Sequence, residues 1–169
     1  MQPIEGLVAG ERDGMQGSAS LVFDHLGLVV PEIAAGREFL GGALGVREWT
    51  DVVEDEGLGV RVQFGRGAGG PCFELVAPFG ENSPVAGVLR AGKHILNHVA
   101  YRTADLDVEG EHLRNEGCHP VGEARPAVAY GGKRVQFWIS PLRFMIELVE
   151  APEHVHVYQS LPSAAEVRS

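Results

Sequence analysis

In the first half of the chain, short apolar segments lie on both sides of one stretch that has apolar residues at helical spacing. Residues 21–30 are rich in leucine and valine, which predicts a β-strand. Residues 31–45 begin with proline, place apolar side chains at helical spacing and end with glycine, which predicts a helix. Valines and glycine-containing turns then predict further strands near Val53, in residues 60–64 and in residues 71–76.

The second half repeats this order of elements. Residues 95–101 predict a strand, and residues 105–115 predict a helix followed by a glycine. Strands are predicted again near Val121, in residues 135–139 and in residues 145–149. Each half therefore reads strand, helix, strand, strand, strand.

Matched residues in the two halves are separated by one constant offset. The arithmetic is the same for three sets: 98 − 25 = 73, 147 − 74 = 73 and 132 − 59 = 73. A fixed internal period is typical of a duplicated structural unit. The matched sets are His25 with His98, Glu74 with Glu147, and the Val-Gln-Phe-ending segments 59–64 and 132–137.

These patterns predict an α+β fold in which two tandem βαβββ units form a cupped, barrel-like mixed β-sheet with helices outside. Two units of about seventy residues are individually marginal, so we expect them to share one core. The predicted divisions are a flexible N-terminal segment (1–20), a single domain (21–152) made of two units (21–79 and 95–152) and a linker helix (80–94), and a flexible C-terminal tail (153–169).

Composition and charge narrow the classes of partner. The chain has 169 residues and a formal net charge of −9, which disfavours nucleic acid and anionic membranes as partners. It has neither an apolar run of about twenty residues nor a signal-peptide pattern at its start, so we expect a cytoplasmic protein that binds a small molecule. Cys72 and Cys118 fit no zinc motif or disulfide framework, and we interpret them as reduced, mostly buried thiols.

The repeated His and Glu residues carry the chemistry of the prediction. On a strand, Glu74 points away from its apolar neighbours, and Glu147 does the same in the other unit. Each glutamate alone favours the surface, and His25 or His98 alone favours a structural role. Together they supply two imidazoles and two carboxylates, the donors of one divalent ion: cobalt, manganese, nickel, zinc or iron(II).

Several segments resemble the vicinal oxygen chelate superfamily of glyoxalase-like proteins, and two of them are most similar to methylmalonyl-CoA epimerases. The resemblance implies that His25, Glu74, His98 and Glu147 are metal ligands and that Glu147 also acts as a proton-transferring base. It also implies an acyl-CoA substrate and allows a homodimer. The superfamily segments are 24–31, 73–75, 97–101 and 146–148, and the epimerase-like segments are 78–86 and 131–137.

Two segments differ from the epimerase pattern. Gly57-Leu58-Gly59 stands where epimerases have a Glu-Gln-Gly segment that supplies a second base. The hairpin at residues 140–145 lacks the Lys-Ser and glycine insertion that is usual there. These differences weaken the coenzyme A assignment and leave the predicted metal ligands intact.

Three functions follow from these residues. The first is a metal-dependent isomerase or lyase that acts on a small carbonyl compound through an enolate-like intermediate. The second is an extradiol-type dioxygenase, which uses iron(II) held by two histidines and one carboxylate, so the second carboxylate argues against it. The third is a drug-binding protein without a metal ion, whose pocket Phe23, Trp138 and Phe144 can line, although a core role is the simpler explanation for these aromatic residues.

Two further groups of residues have both a functional interpretation and one as ordinary solvated side chains. Lys133, Arg134 and Arg143 are candidates for binding an anionic substrate group, or they form a solvated strand edge. His154 and His156 can bind a metal ion weakly as a pair, but histidines in a terminal segment are usually solvated, and this is the interpretation we favour.

Overall fold

The structure, a computed structural model, describes residues 21–92 and 96–160. The fold is α+β, as the sequence predicts, and its strands form one ten-stranded curled sheet. The strands are β1 (Val22–Val29), β2 (Glu48–Trp49), β3 (Val53–Asp55), β4 (Val60–Arg66), β5 (Cys72–Pro78), β6 (Leu96–Arg102), β7 (His119–Ala127), β8 (Lys133–Ile139), β9 (Met145–Val149) and β10 (Gln159–Ser160). The helices are α1 (Ile33–Ala43), α2 (Ala86–Ala91) and α3 (Leu106–Asn115), and a 3-10 turn spans Val128–Tyr130.

The order of the strands shows how the two units are joined. The sheet runs β10-β2-β4-β5-β1-β6-β9-β8-β7, with β3 also paired to β4. In each unit the first strand pairs in parallel with the last, and the two first strands, β1 and β6, pair antiparallel at the centre. The duplicated units therefore lie side by side, and residues at equivalent positions meet at the middle of one sheet.

The convex face of the sheet is covered by one helix from each unit. Helix α1 buries Ile33 and Leu40 against Leu75 of β5. Helix α3 packs an equivalent stripe against Trp138 and Leu148, which are fully buried. Since alternate residues of a strand point to opposite faces, the outward direction of Leu75 turns the preceding glutamate into the concave side.

The concave face holds its own apolar core, to which both units contribute. Helix α2 is shorter than the predicted linker of residues 80–94 and lies beside this core through the partly buried Val88 and Leu89. In the described residues, no helix is long and apolar enough to cross a membrane.

The C-terminal segment differs from the predicted flexible tail. Residues 1–20 and 161–169 lie outside the described residues, but the tail is described as far as residue 160. Tyr158 packs against the concave core, and Gln159 pairs with Trp49 of β2. Partial burial of Tyr158 and hydrogen bonding to an edge strand hold this part of the tail on the protein.

Candidate metal centre

The four predicted ligands come from four strands and converge on the concave face. His25 and His98 lie on the paired central strands β1 and β6, and Glu74 and Glu147 lie on the flanking strands β5 and β9. All four side chains are buried, with residue exposures between 0% and 7%. Burial of two carboxylates is costly unless charge and hydrogen-bonding partners compensate it, so the arrangement requires positive charge at its centre.

The distances between donor atoms fit one central ion. The two imidazole Nε2 atoms are 2.9 Å apart, and each lies 3.2–3.3 Å from Oε2 of Glu74 and of Glu147. Donors about 2.1 Å from an ion lie about 3.4 Å apart in a tetrahedron and about 3.0 Å apart at adjacent corners of an octahedron. The observed distances of 2.9–3.3 Å run from the octahedral value to just below the tetrahedral one.

Each histidine is oriented by the residue that precedes it. His25 Nδ1 lies 2.9 Å from Asp24 Oδ2, and His98 Nδ1 lies 3.0 Å from Asn97 Oδ1. The β1–β6 pairing is irregular at both places, which lets two consecutive side chains face the same site. An Nδ1–H that donates to an oxygen leaves the lone pair of Nε2 free for a metal ion.

One unsatisfied atom also favours an ion. Glu147 Oε2 is buried and accepts no hydrogen bond from any described residue, although both Nε2 atoms are within 3.3 Å. Lone pairs of two imidazoles and two carboxylates therefore face one point. This donor set fits a borderline or hard divalent cation.

Protons compete with such an ion for the site. Burial lowers the pKa of His25, but the charge of Glu74 and the hydrogen bond with Asp24 outweigh it and raise that pKa well above its usual range. Burial also lowers the pKa of His98, and the neighbouring carboxylates of Glu147 and Glu74 raise it. Burial raises the pKa of Glu74, but the charge of His25 together with the other contributions of His25 and His98 outweighs it and lowers that pKa to about 2.

Gly27 makes room for the second histidine. It lies opposite His98 in the β1–β6 register, and a Cβ atom at Gly27 would come 2.1 Å from His98 Cε1. Real Cβ atoms do not approach a ring so closely. The absence of a side chain at Gly27 is therefore what lets the His98 ring cross β1 and reach His25.

The surroundings of His25 are closed. Its orienting residue, Asp24, also accepts a 2.6 Å hydrogen bond from the Tyr130 hydroxyl and forms a 2.9 Å ion pair with Arg102. Burial raises the pKa of Asp24, but hydrogen bonds with His156 and His25 outweigh it and hold that pKa well below its usual range. His25 has no exposed surface and is held in one orientation by an ionised carboxylate.

The surroundings of His98 are open. A cavity of about 420 Å³ begins beside His98 and Glu147 and is lined mainly by apolar side chains. Asn97 and Phe137 also line it, and the Phe137 ring meets the His98 ring edge to face at 5.2 Å. The apolar wall is formed by Leu58, Val60, Val62, Val76, Val85, Val88, Val135 and Met145.

The three cations predicted to bind substrate do not line this cavity. Arg134 bonds to Glu150 at 2.6 and 2.8 Å, and its second partner is Asp107 of α3. Lys133 and Arg143 are exposed. Alternation along β8 turns Arg134 to the helical face of the sheet, away from the cavity. Among the described residues, the cation that lines the cavity is Arg125 of β7.

The aromatic residues of the drug-binding alternative are also elsewhere. Trp138 is fully buried under α3, which confirms its core interpretation. Phe23 and Phe144 are 42% and 43% exposed and do not line the cavity. Among the aromatic rings at the site, Phe64 meets His25 and Phe137 meets His98, and these two phenylalanines occupy equivalent positions since 137 − 64 = 73.

Sequence reasoning missed the residues around the ligands. Asp24 and Asn97 carried a signal, because each precedes a predicted histidine ligand at the repeat offset of 73. Tyr130 and His156 carried none, since they meet Asp24 across 106 and 132 residues of chain. The predicted solvation of His156 is wrong, because only 9% of its side chain is exposed.

Comparisons with known proteins identify the family of this chain. Residues 24–137 match the Glyoxalase/Bleomycin resistance protein/Dioxygenase superfamily. The chain is 30% identical over 134 residues to an ethylmalonyl-CoA/methylmalonyl-CoA epimerase of Cereibacter sphaeroides, a match that covers 75% of this chain and 93% of the relative.

Two solved structures that are similar to this chain are methylmalonyl-CoA epimerases. A methylmalonyl-CoA epimerase from Mycobacterium tuberculosis has a TM-score of 0.62 and 26% identity, with 85% of this chain and 91% of that chain covered. A Streptomyces coelicolor methylmalonyl-CoA epimerase variant, in complex with 2-nitronate-propionyl-CoA, has a TM-score of 0.64 and 27% identity, with 82% and 99% covered.

Proposed function

Since the chain belongs to the Glyoxalase/Bleomycin resistance protein/Dioxygenase superfamily, we propose that it is a divalent-metal-dependent isomerase or lyase of small carbonyl compounds, most like methylmalonyl-CoA epimerase. The observation that carries this proposal is the convergence of four buried donors, 2.9–3.3 Å apart, at the floor of an apolar cavity. An acyl-CoA substrate is supported by the complex of the Streptomyces relative with an acyl-CoA analogue.

The metal ligands in this proposal are His25, Glu74, His98 and Glu147. A divalent ion held there supplies a Lewis acid that polarises the substrate carbonyl and lowers the energy of enolate-like charge. Two imidazoles and two carboxylates leave cobalt, manganese, nickel, zinc and iron(II) as compatible ions.

Glu147 is the proton-transferring base in this proposal. Its Oε2 atom faces the two imidazoles and its side chain lines the cavity, as is also true of Glu74. The resemblance to epimerases favours Glu147, so we assign the transfer of the substrate's α-proton to its Oε1. Burial raises the pKa of Glu147, but the adjacent His25 and His98 imidazoles outweigh it and lower that pKa, which keeps the base ionised.

The rest of the cavity binds and orients the substrate. Its apolar wall excludes water from the α-carbon and suits an acyl chain. Arg125 is exposed at the cavity and takes the anion-binding role that we first gave to other cations. The cytoplasmic location and the homodimer remain predictions from the sequence.

The test combines metal analysis with isotope exchange. Protein purified without chelators is expected to contain about one divalent ion per chain and to catalyse deuterium incorporation at the α-carbon of methylmalonyl-CoA or ethylmalonyl-CoA. Protein with neither bound metal nor exchange would contradict the proposal and favour the drug-binding alternative. Oxygen uptake with a catechol and iron(II) would favour the dioxygenase alternative, which the buried fourth ligand Glu74 disfavours.

A further inference from the structure

The described part of the C-terminal tail forms a strap across the first unit. Arg102 Nη1 donates to the carbonyls of Pro152 and His154, and the far end pairs with β2. Between these anchors Val155 and Val157 are 78% and 80% exposed, so the intervening side chains turn toward the protein. We call residues 152–160 the C-terminal strap.

His156 is the residue of the strap that reaches the candidate metal centre. Its Nε2 lies 3.1 Å from Asp24 Oδ2, and its ring stacks on Phe64 with centroids 4.0 Å apart. Asp24 Oδ2 is the same oxygen that orients His25 Nδ1. A chain of contacts thus runs from His156 through Asp24 to a metal ligand.

These groups do not form a second metal site, although Asp24, His25 and His156 offer donor atoms within 4.8 Å of one another. The Arg102 guanidinium lies 2.9 Å from Asp24 Oδ1 and opposes another cation there. The Tyr130 hydroxyl and His25 Nδ1 also lie within hydrogen-bond distance of Asp24 Oδ2. Three hydrogen-bonding neighbours thus surround Asp24 Oδ2, and an arginine already faces Oδ1.

We propose that His156 is a positioning residue, which fixes Asp24 through its Nε2–H group and thereby strengthens retention of the ion by His25. This inference rests on the metal centre proposed above. By thermodynamic linkage, an ion that binds better when the strap is docked must stabilise the docked strap by the same factor.

Three substitutions separate positioning from packing. His156→Gln keeps an N–H donor near the place of Nε2 but loses the ring, whereas His156→Phe keeps a ring for stacking on Phe64 but loses the donor. His154→Gln is the matched control, because glutamine keeps a donor for His156 Nδ1, which lies 3.4 Å from His154 Nε2, and His154 has no hydrogen bond with Asp24 among the described residues. A purely packing role predicts that phenylalanine is the milder change at position 156.

The readout is cobalt(II) affinity, measured by competition with a chromophoric chelator. We expect His156→Phe to weaken affinity about tenfold, the lower end of the range for outer partners of a metal ligand, and His156→Gln to stay within about threefold of wild type. The His154→Gln control should match wild type. A phenylalanine variant that binds as well as the glutamine variant, or better, overturns the proposal.

A second measurement uses the wild-type protein and so does not depend on the folding of any variant. Hydrogen exchange of the His154 amide, which donates to the Ala151 carbonyl, and of the β10 amides, which pair with β2, should slow by about the same factor in the presence of cobalt(II). Unchanged hydrogen exchange in protein that binds cobalt overturns the role of His156 but leaves the proposed metal centre standing. Wild-type protein that binds no cobalt removes both this role and the proposed metal centre.

Discussion

The two units supply the same donors but surround them differently. His25 and His98 each meet a phenylalanine ring edge to face at 5.2 Å, and each has a glutamate on its own unit's last strand. His25 is closed in by Asp24, Tyr130 and the C-terminal strap, whereas His98 borders the cavity beside Asn97. Duplication thus accounts for the ligands, and divergence accounts for one closed side and one reactive side.

The largest expected effect separates the two glutamates. Glu147→Gln should lower the rate of α-proton exchange about a thousandfold or more and also weaken metal binding, because it removes both a ligand charge and the base. Glu74→Gln makes the same chemical change in the other unit and should weaken metal binding but retain exchange at saturating metal. Assays at saturating metal distinguish them.

Equal losses of exchange in these two variants would break the comparison, since both glutamates would then act only as ligands. Wild-type metal content and turnover in Glu147→Gln would refute its assignment altogether. Circular dichroism and thermal unfolding of each variant control for misfolding.

The next effect concerns the residues opposite the histidines. Gly27→Ala should weaken metal affinity by about a hundredfold, because the added Cβ overlaps the His98 ring and must displace it. Ala100 is the equivalent residue opposite His25 and already carries a Cβ, so Ala100→Gly should change affinity by less than about tenfold. Metal titration of both variants measures the difference, and equal affinities would show that Gly27 is not a steric requirement.

A smaller effect concerns the orienting residues. Asp24→Asn removes the charge behind His25 and should weaken metal affinity by about tenfold to a hundredfold. Asn97→Asp makes the second unit like the first and should strengthen affinity by up to about tenfold. Chelator competition measures both, and a tighter site in Asp24→Asn would contradict the role of the carboxylate.

The smallest effect is a pH dependence. The pKa values of His25 and His98 are raised by neighbouring carboxylates, so the metal-free site keeps its protons above the ordinary histidine pKa of about 6.5. An ion must displace these protons, and apparent metal affinity should therefore rise with pH through that region and level off above it. Isothermal titration at several pH values tests this, and affinity that falls as pH rises would contradict it.

Asp24→Asn also sharpens this prediction, since Asp24 helps to raise the pKa of His25, whereas Glu147 and Glu74 raise that of His98. The midpoint of the affinity curve should move to lower pH in that variant. A curve that keeps its midpoint would separate Asp24 from the protonation of the site.

The sequence predicted the parts of the molecule that follow local rules. Alternation and helical spacing predicted the βαβββ order, and the offset of 73 paired the four ligands. Local rules do not indicate which face a cation will occupy, and for this reason the sequence leaves both a substrate-binding and a strand-edge role open for Arg134. In the structure Arg134 bonds to Glu150 and Asp107. The contacts of Asp24 with Tyr130 and His156 depend on the folded chain and had no sequence signal.

The most direct test of the metal centre is the position of the ion in crystals grown with cobalt(II). Anomalous scattering should show one ion per chain, about 2.0–2.2 Å from His25 Nε2, His98 Nε2 and a carboxylate oxygen of each of Glu74 and Glu147. Anomalous density bound elsewhere, with these four side chains bonded to one another, would contradict the account.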